Sequence, residues 1–331
     1  MKQTNISVFI PHYGCRHICS FCNQKTISGH SEPVTEAQLE ELLASQIDNL
    51  RKKGTKAQIA FFGGSFTAID KDYMIRLLAI AKRFVDEYPD CYDGIRCSTR
   101  PDCIDEQTLD ILKSYGMTAI ELGAQSMNDE VLSANRRGHT AEDVRRASRL
   151  IKQYGFELGL QMMTGLYGDT PEKSLYTAEK FIEMHPDTVR IYPTVILKNT
   201  VLGELFERGV YTSFSFEETV ELCAVLLRKF EQNNIRVIRM GLHASEEVEQ
   251  EMLGGVYHPS FREIVESRLV LNDLTERLKP FPKRDYTVYT DKKNISKLIG
   301  QKRGNLEKLR EMGYKIKVKE KSGAYLEIEE S

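Results

Sequence analysis

The stretch VFIPHYGCRHICSFCNQ, residues 8–24, decides how the chain is read. It sets Cys15, Cys19 and Cys22 in the spacing CxxxCxxC, directly after an apolar, β-leaning run from Ile6 to Ile10 that predicts a first strand. A loop leaving a strand can turn three thiolates onto one centre, and their closeness in sequence keeps the entropy cost of convergence small. Thiolates suit zinc or an iron–sulfur cluster. A structural zinc takes four ligands, and a cubane cluster has four irons. Three local thiolates with no fourth nearby point to a cluster with one iron left open. A zinc loop, or three unrelated core thiols, is the plainer alternative.

Composition bounds the rest. The chain has 331 residues, 41% hydrophobic and 28% charged, enough to bury a sizeable core and suggesting about two domains. A formal net charge of −2 calls for no polyanionic partner, although a global sum hides local patches. The start, MKQTNISVFIPH, holds no long apolar h-region, and no run of about 18 apolar residues occurs. The expectation is a soluble cytoplasmic protein. Seven cysteines, an odd number with three clustered, speak against a secreted disulfide framework.

Working outward, helical apolar spacing covers residues 36–53, 71–87, 105–115, 140–153, 171–184 and 215–232. Between them lie apolar strand-like runs at 58–65, 95–102, 117–126, 156–168 and 188–196, with a shorter one at 234–242. Such alternation signals βαβ units with parallel pairing, and continuous apolar runs fit strands covered on both faces. Six or seven units fall short of an eightfold barrel. The predicted fold class is α/β, a partial (β/α)6 TIM-type barrel open on one side. In such a barrel chemistry collects at the C-terminal strand ends. There the sequence places the three cysteines, then Gly63-Gly64, Arg100, Gln125 and Gln161, after or toward the ends of strands one to five. Cys97 and Cys223 sit in apolar runs and read as core thiols, while Cys91 and Cys103 lack tight metal spacing.

CxxxCxxC with Phe21 just before the third cysteine resembles the radical S-adenosylmethionine (SAM) superfamily. STRPD (98–102), ELGAQS (121–126), NRRGHT (135–140), RIYPT (190–194) and YHPSFREIVESR (257–268) together resemble the radical-SAM domain of the catalytic subunit of Elongator and its bacterial relatives. The likeness covers about residues 5–270, and anaerobic coproporphyrinogen dehydrogenases are more distantly similar. It implies a 4Fe-4S cluster on Cys15, Cys19 and Cys22, with SAM chelating the open iron. It also implies reductive cleavage to a 5′-deoxyadenosyl radical and a low-potential donor such as flavodoxin or ferredoxin.

Gly63-Gly64 resembles a GGE-type motif near the SAM amino group, with Ser65 in the place of the usual acidic residue. By the same resemblance Phe21, Gln125, Gln161 and Arg136 or Arg137 belong to the cofactor side, and Arg100 holds a carboxylate or the RPD turn. Ser98 stands where many relatives carry Glu. Tyr192 and Lys198 face the substrate, with barrel packing as the alternative for Tyr192. His139 and His258 read as helix-cap or packing residues. Two departures stand out: the cysteine loop of Elongator's catalytic subunit has a longer first spacing, and its acetyltransferase domain and neighbouring zinc cysteines find no counterpart in these 331 residues.

The stretch LKPFPKRD, 278–285, reads as a linker between a barrel with helical extension, 1–277, and a tail, 278–331. Residues 282–331 hold 13 Lys and Arg against 8 Asp and Glu. The order there is strand, helix, loop, helix, strand, strand. ISKLIGQKRGNLEKL resembles a KH RNA-binding module, in which a glycine-bounded loop clamps the nucleic-acid backbone. Gly300 and Gly304 enclose three residues, one more than usual, and Lys297, Lys302 and Arg303 supply charge suited to phosphate. The expected function is a radical-SAM enzyme modifying a tRNA-like RNA, with no catalytic side chain assignable from sequence. A radical enzyme for a small molecule such as a tetrapyrrole, or a non-enzymatic metal-containing RNA-binding protein, remains the alternative.

Overall fold

A computed structural model describes residues 4–10, 14–15, 18–23, 26–27, 32–243 and 245–330. Of the stretch 8–24, positions 11–13, 16–17 and 24 lie outside the described residues, as do 1–3 of the N-terminal run, and the three cysteines lie inside them.

The apolar runs form strands β1 (Thr4–Ile10), β2 (Ala57–Gly63), β3 (Tyr92–Thr99), β4 (Met117–Gln125), β5 (Glu157–Thr164) and β6 (Thr188–Pro193). The expected run 188–196 divides at Pro193, which has no N–H to continue a ladder. Its remainder, β7 (Val195–Leu197), leaves the barrel and pairs antiparallel with β9 (Met252–Gly255). The shorter run becomes β8 (Arg236–Met240), which pairs with β6. The barrel sheet therefore has seven parallel strands, one beyond six, in the order β1-β2-β3-β4-β5-β6-β8, with β1 and β8 as open edges.

Helices return the chain between strands: α1 (Glu36–Lys53), α2 (Lys71–Glu87), α3 (Glu106–Ser114), α4 (Asp129–Ala134), α5 (Ala141–Gln153), α6 (Pro171–Glu183), α7 (Val201–Glu207), α8 (Phe216–Gln232), α9 (Glu246–Glu251) and α10 (Phe261–Leu278). Reciprocal capping boxes start three of them, Thr35 with Gln38, Thr140 with Asp143 and Ser215 with Glu218. Ile59, Phe61, Ile120, Leu122, Leu158, Leu160 and Ile191 point outward from the sheet into one core with Leu39, Leu43, Leu77, Leu109, Val144 and Leu226 of the helices. Cys97 and Cys223 are buried in that core, as expected. Strand periodicity then sends the intervening residues, among them Arg96, Glu121, Gln161 and Arg190, to the opposite, lumen face. No helix among the described residues is long and apolar enough to cross a membrane.

The tail is built from β10 (Asp285–Thr290), α11 (Lys292–Ile299), α12 (Gly304–Glu311), β11 (Lys315–Glu320) and β12 (Glu327–Glu330). β10 lies between the others, parallel to β11 and antiparallel to β12. Tyr286, Val288, Leu298, Leu309, Tyr314 and Leu326 close a small core against Val270, Leu271, Leu274 and Leu278 of α10. Phe261 and Val265, at the other end of the same helix, belong to the barrel core. The stretch 278–285 is thus a turn tightened by Tyr286, whose hydroxyl donates to Pro282 O and whose ring meets Phe281 edge-on. A division at 277/278 falls at the end of a helix that serves both bodies.

Asn305, 8% exposed, shares its side-chain amide among Ser267 O (3.1 Å), Ser267 Oγ (2.9 Å) and Lys297 O (2.9 Å). Removing it deletes these three hydrogen bonds and leaves Lys297 O only its bond from Ser267 Oγ, at a cost of about 1–3 kcal/mol. In Asn305→Ala, amide hydrogen exchange should accelerate through 285–330 and stay unchanged in β2–β5. Unchanged exchange in the tail would show that the apolar contacts alone hold it.

Candidate active site

The C-terminal ends of β1 to β5 surround a cavity of about 120 Å3. Its wall brings together Cys15, Cys19, Cys22, Phe21, Gly63, Gly64, Ser98, Arg100, Gln125, Arg137 and Gln161, with Thr99 and Gly123 between them. Three residues expected nearby stand elsewhere. Ser65 is fully buried behind the wall, its hydroxyl 2.8 Å from Thr99 Oγ1 and accepting from the Arg100 N–H. Arg136 faces a separate open pocket with Ile18, Ser133 and His139. Lys198 is exposed and donates to Gln250 O, so it borders neither this cavity nor the second one described below.

Local geometry explains why the loops converge. Gly63 has φ +113°, and a Cβ there would lie 2.8 Å from Ile10 O; the next N–H, of Gly64, donates to that same oxygen. The glycine lets the end of β1 press against the end of β2. Gly14, at φ +73°, leaves its Cβ side 2.3 Å from Ser65 O, which seats the start of the cysteine loop on the following turn. Gln125 adopts φ +66° just after a register shift between Leu122 and Gln125, an irregularity of the kind that re-aims a side chain beside an active site.

The cysteine loop is held from the far side by residues 135–137. Ser20 N–H donates to Asn135 O and Ser20 Oγ donates to Asn135 Oδ1 (2.8 Å), while Asn135 Nδ2 donates to Val131 O and Tyr167 O. Leu202 N–H donates to Ser20 O. Arg137 Nη1 donates to Cys19 Sγ (2.9 Å), Nη2 donates to Gly123 O, and its guanidinium lies 6.0 Å from the Phe21 ring centre. Arg100 is clamped on Asp102 (2.9 and 3.1 Å) and donates to Arg137 O. Burial pushes the Cys15 thiol above its ordinary pKa and Cys19 adds to the rise, against the pull of Arg100 and Arg137. Burial, with Arg137 and Arg100, drives His139 down to about 3, so it is a neutral packing imidazole, its Nε2 3.2 Å from Ala124 O.

The donor set can be tested against the group that the motif implies. Gln125 Oε1, Arg100 Nη1 and Arg137 Nε are buried polar atoms without a hydrogen-bond partner, all on side chains of this one wall. Such atoms call for a polar ligand. Among the described residues no three Cys, His, Asp or Glu side chains converge to hold a single metal ion, and none of the cysteines forms a disulfide. Three thiols and unpaired polar atoms on one cavity wall fit a cluster with a polar co-ligand.

Beneath the cavity lies a charge network that sequence reading passed over. Glu121 and Arg96 are each 1% exposed. Arg190 grips both Glu121 oxygens, Nε to Oε2 at 2.5 Å and Nη2 to Oε1 at 2.8 Å. Arg96 Nη1 stands 3.2 Å from Glu121 Oε1, and its Nη2 donates to Glu157 at 3.3 Å. Gln161 Nε2 donates to Glu121 Oε2 (3.0 Å) and Ser98 Oγ (3.2 Å). The signal was a charge inside each of three apolar strands. A second cavity of about 250 Å3 shares Cys22, Gly63, Ser98 and Gln161 with the first and adds Phe9, Phe62, Arg190, Tyr192, Leu242 and His243.

In the tail, Lys297 is spent on Glu266 (2.8 Å). Lys302 and Arg303 are exposed, make no ion pair with another described residue, and both adopt left-handed φ, +48° and +66°. Gly300 has φ +76°, and a Cβ there would meet Asn305 Cγ at 2.8 Å, whereas Gly304 opens α12 in free space.

A curled parallel sheet with a three-thiol cavity at its strand ends defines an α/β partial barrel that carries an iron–sulfur cofactor. The chain belongs to the radical SAM superfamily: that family's profile matches residues 9–181, and the Radical_SAM C-terminal domain matches 186–270. The family uses a 4Fe-4S cluster and SAM. Among curated relatives, tRNA uridine(34) acetyltransferase of Methanocaldococcus jannaschii is 29% identical over 206 residues, covering 54% of this chain and 37% of the relative. Elongator complex protein 3 of Homo sapiens is 31% identical over 204 residues, covering 55% and 37%. The chain thus spans well under half of either relative. The solved archaeal Methanocaldococcus infernus Elp3 with an N-terminal deletion superposes with TM-score 0.65 at 20% identity, covering 82% of this chain and 63% of that one, a likeness of fold.

Burial alone would raise the Glu121 pKa, but Arg190 and Arg96, with the Gln161 hydrogen bond, outweigh it and hold the carboxyl below its usual value. Its contribution to stability is therefore complete above the unfolded value of about 4.3 and is lost as pH falls through the lowered folded value. Glu121→Gln leaves two buried guanidinium groups short of a counter-charge and should cost about 3–5 kcal/mol in urea unfolding at pH 7. The variant should also lose less stability than the parent between pH 4.5 and 3. Equal acid slopes would show that Glu121 carries no linked proton.

Proposed function

We propose that this radical SAM enzyme modifies a tRNA-like RNA, with the target base held in the second cavity and the backbone held by the tail. The observation that carries the reading is the junction of the two cavities, which share Cys22, Gly63, Ser98 and Gln161. A group seated against Phe9, Phe62 and Tyr192 would adjoin the cofactor wall without crossing solvent. Aromatic faces with a few polar groups at their rim suit a base taken out of its stack. The names of the relatives, a tRNA uridine(34) acetyltransferase and an Elongator protein, support an RNA substrate.

When bound, the cluster supplies the reductive cleavage of SAM, driven by an electron from a low-potential donor of the flavodoxin or ferredoxin class. The chain's own residues do the rest. Cys15, Cys19 and Cys22 would hold the cluster. Gly63 and Gly64 keep backbone close to the cavity, and Gln125, Arg100 and Gln161 line it. Arg190, fixed by Glu121, and Tyr192, 3.5 Å from Arg190 Nη1, orient the substrate side. Lys302, Arg303 and the start of α12 would meet phosphate.

Anaerobic reconstitution with iron and sulfide, followed by dithionite and SAM, should yield 5′-deoxyadenosine. Cys19→Ala should lose the iron and the brown absorption, and retention of both would overturn the ligand assignment. For the RNA arm, Lys302→Ala/Arg303→Ala removes two candidate phosphate contacts. The slope of log affinity for a single-stranded anticodon-loop RNA against log salt should shrink by about 1.4. An unchanged slope would remove the tail from the RNA contact and favour a small-molecule substrate.

A further inference from the structure

We infer that Arg137 is the counter-cation of the Cys19 sulfur and thereby a positioning residue that both fixes the cysteine loop and raises the reduction potential of the cluster held there. The inference rests on the cofactor reading above and deepens it.

The argument begins with an imbalance. Arg137 is 6% exposed, and a guanidinium this buried needs a partner of opposite charge. Arg100, its neighbour in the same wall, has one in Asp102. Arg137 makes no ion pair with any carboxylate among the described residues. Its donors go instead to Cys19 Sγ at 2.9 Å and to Gly123 O, and Nε is left buried without a partner. Among the described residues, the sulfur of Cys19 is the one hydrogen-bond partner of Arg137 that can carry the missing negative charge.

Three features make the contact a built one. Asn135, two residues earlier, binds Ser20 through both backbone and side chain, so the segment before Arg137 is latched to the residue after Cys19. Arg100 donates to Arg137 O and holds the backbone at the other side. Phe21, from the cysteine loop itself, lies under the guanidinium. Two of the five guanidinium N–H donors are used within the protein, on Cys19 Sγ and Gly123 O.

A cation at a cluster thiolate has a defined electrical effect. One-electron reduction adds negative charge to the cluster, and a fixed positive charge with an N–H donor on the sulfur favours the reduced form. The donor passes one electron inward; no bond at Arg137 forms or breaks.

The test is a mediated anaerobic redox titration of the reconstituted full chain without SAM, read by absorption and EPR, with iron content measured alongside. At the potential where the parent is half reduced, Arg137→Met should show a reduced-to-oxidised ratio about tenfold lower, which for one electron is about 59 mV. Arg137→Lys keeps the charge and should stay within about threefold of the parent. Equal ratios in Arg137→Met and the parent would overturn the inference. So would an unchanged ratio together with weaker SAM binding in a separate titration of the oxidised, reconstituted variant with SAM, since that would place the guanidinium on SAM. If Arg137→Met takes up no iron, Arg137→Lys decides: a near-parental ratio supports the counter-charge, and a tenfold fall overturns it. Failure of the parent itself to take up about four irons would instead sink the cofactor reading.

Discussion

A carboxylate locked between two guanidinium groups inside the barrel is the constraint on which the other features depend. Glu121 on β4 ties β3 through Arg96, β5 through Gln161 and β6 through Arg190. Parallel ladders fix the backbones of these strands but do not aim the lumen side chains. The network does, because each member is committed in a medium where an unpaired charge is costly. Gln161, Ser98 and Arg190 acquire their directions from it, and these same side chains border the two cavities. The site is therefore placed from below by charge and from above by loops.

The upper part follows a different physics. Among its described residues the cysteine loop forms no strand. It is seated by backbone contacts, with Gly14 against Ser65 and Ser20 against Asn135, and by the guanidinium of Arg137. The glycines here are steric permissions for one chain segment to touch another. Gly63 is held to glycine by the end of β1 whatever it also offers a cofactor.

Much of this was legible in the sequence, for identifiable reasons. Continuous apolar runs separated by capped helices announce a parallel α/β sheet because both faces must be covered. The three cysteines announce themselves by spacing. TVRIYPTVI looked like one strand because Thr, Val and Ile flank Pro193 on both sides, and only the pairing of Val195–Leu197 with Met252–Gly255 divides it. Arg96, Glu121 and Arg190 could each be seen as a charge in an apolar run, but their partnership spans separate strands and has no local signature. The adjacent pair Arg136 and Arg137 could not be separated from sequence. A left-handed φ of +53° at Arg136 turns that side chain to the outer pocket and leaves Arg137 facing the sulfur. Ser65 lay in a recognisable motif, yet its hydroxyl is consumed by Thr99 and the Arg100 N–H.

The helix common to barrel and tail has a mechanical meaning. A flexible tether would let the basic loop sample many positions and would raise only the local concentration of whatever it grips. α10 instead contributes Phe261 and Val265 to one core and Val270 to Leu278 to the other, so the two bodies share a single rod. The basic loop of the tail therefore keeps one fixed station relative to the barrel core instead of roaming on a leash.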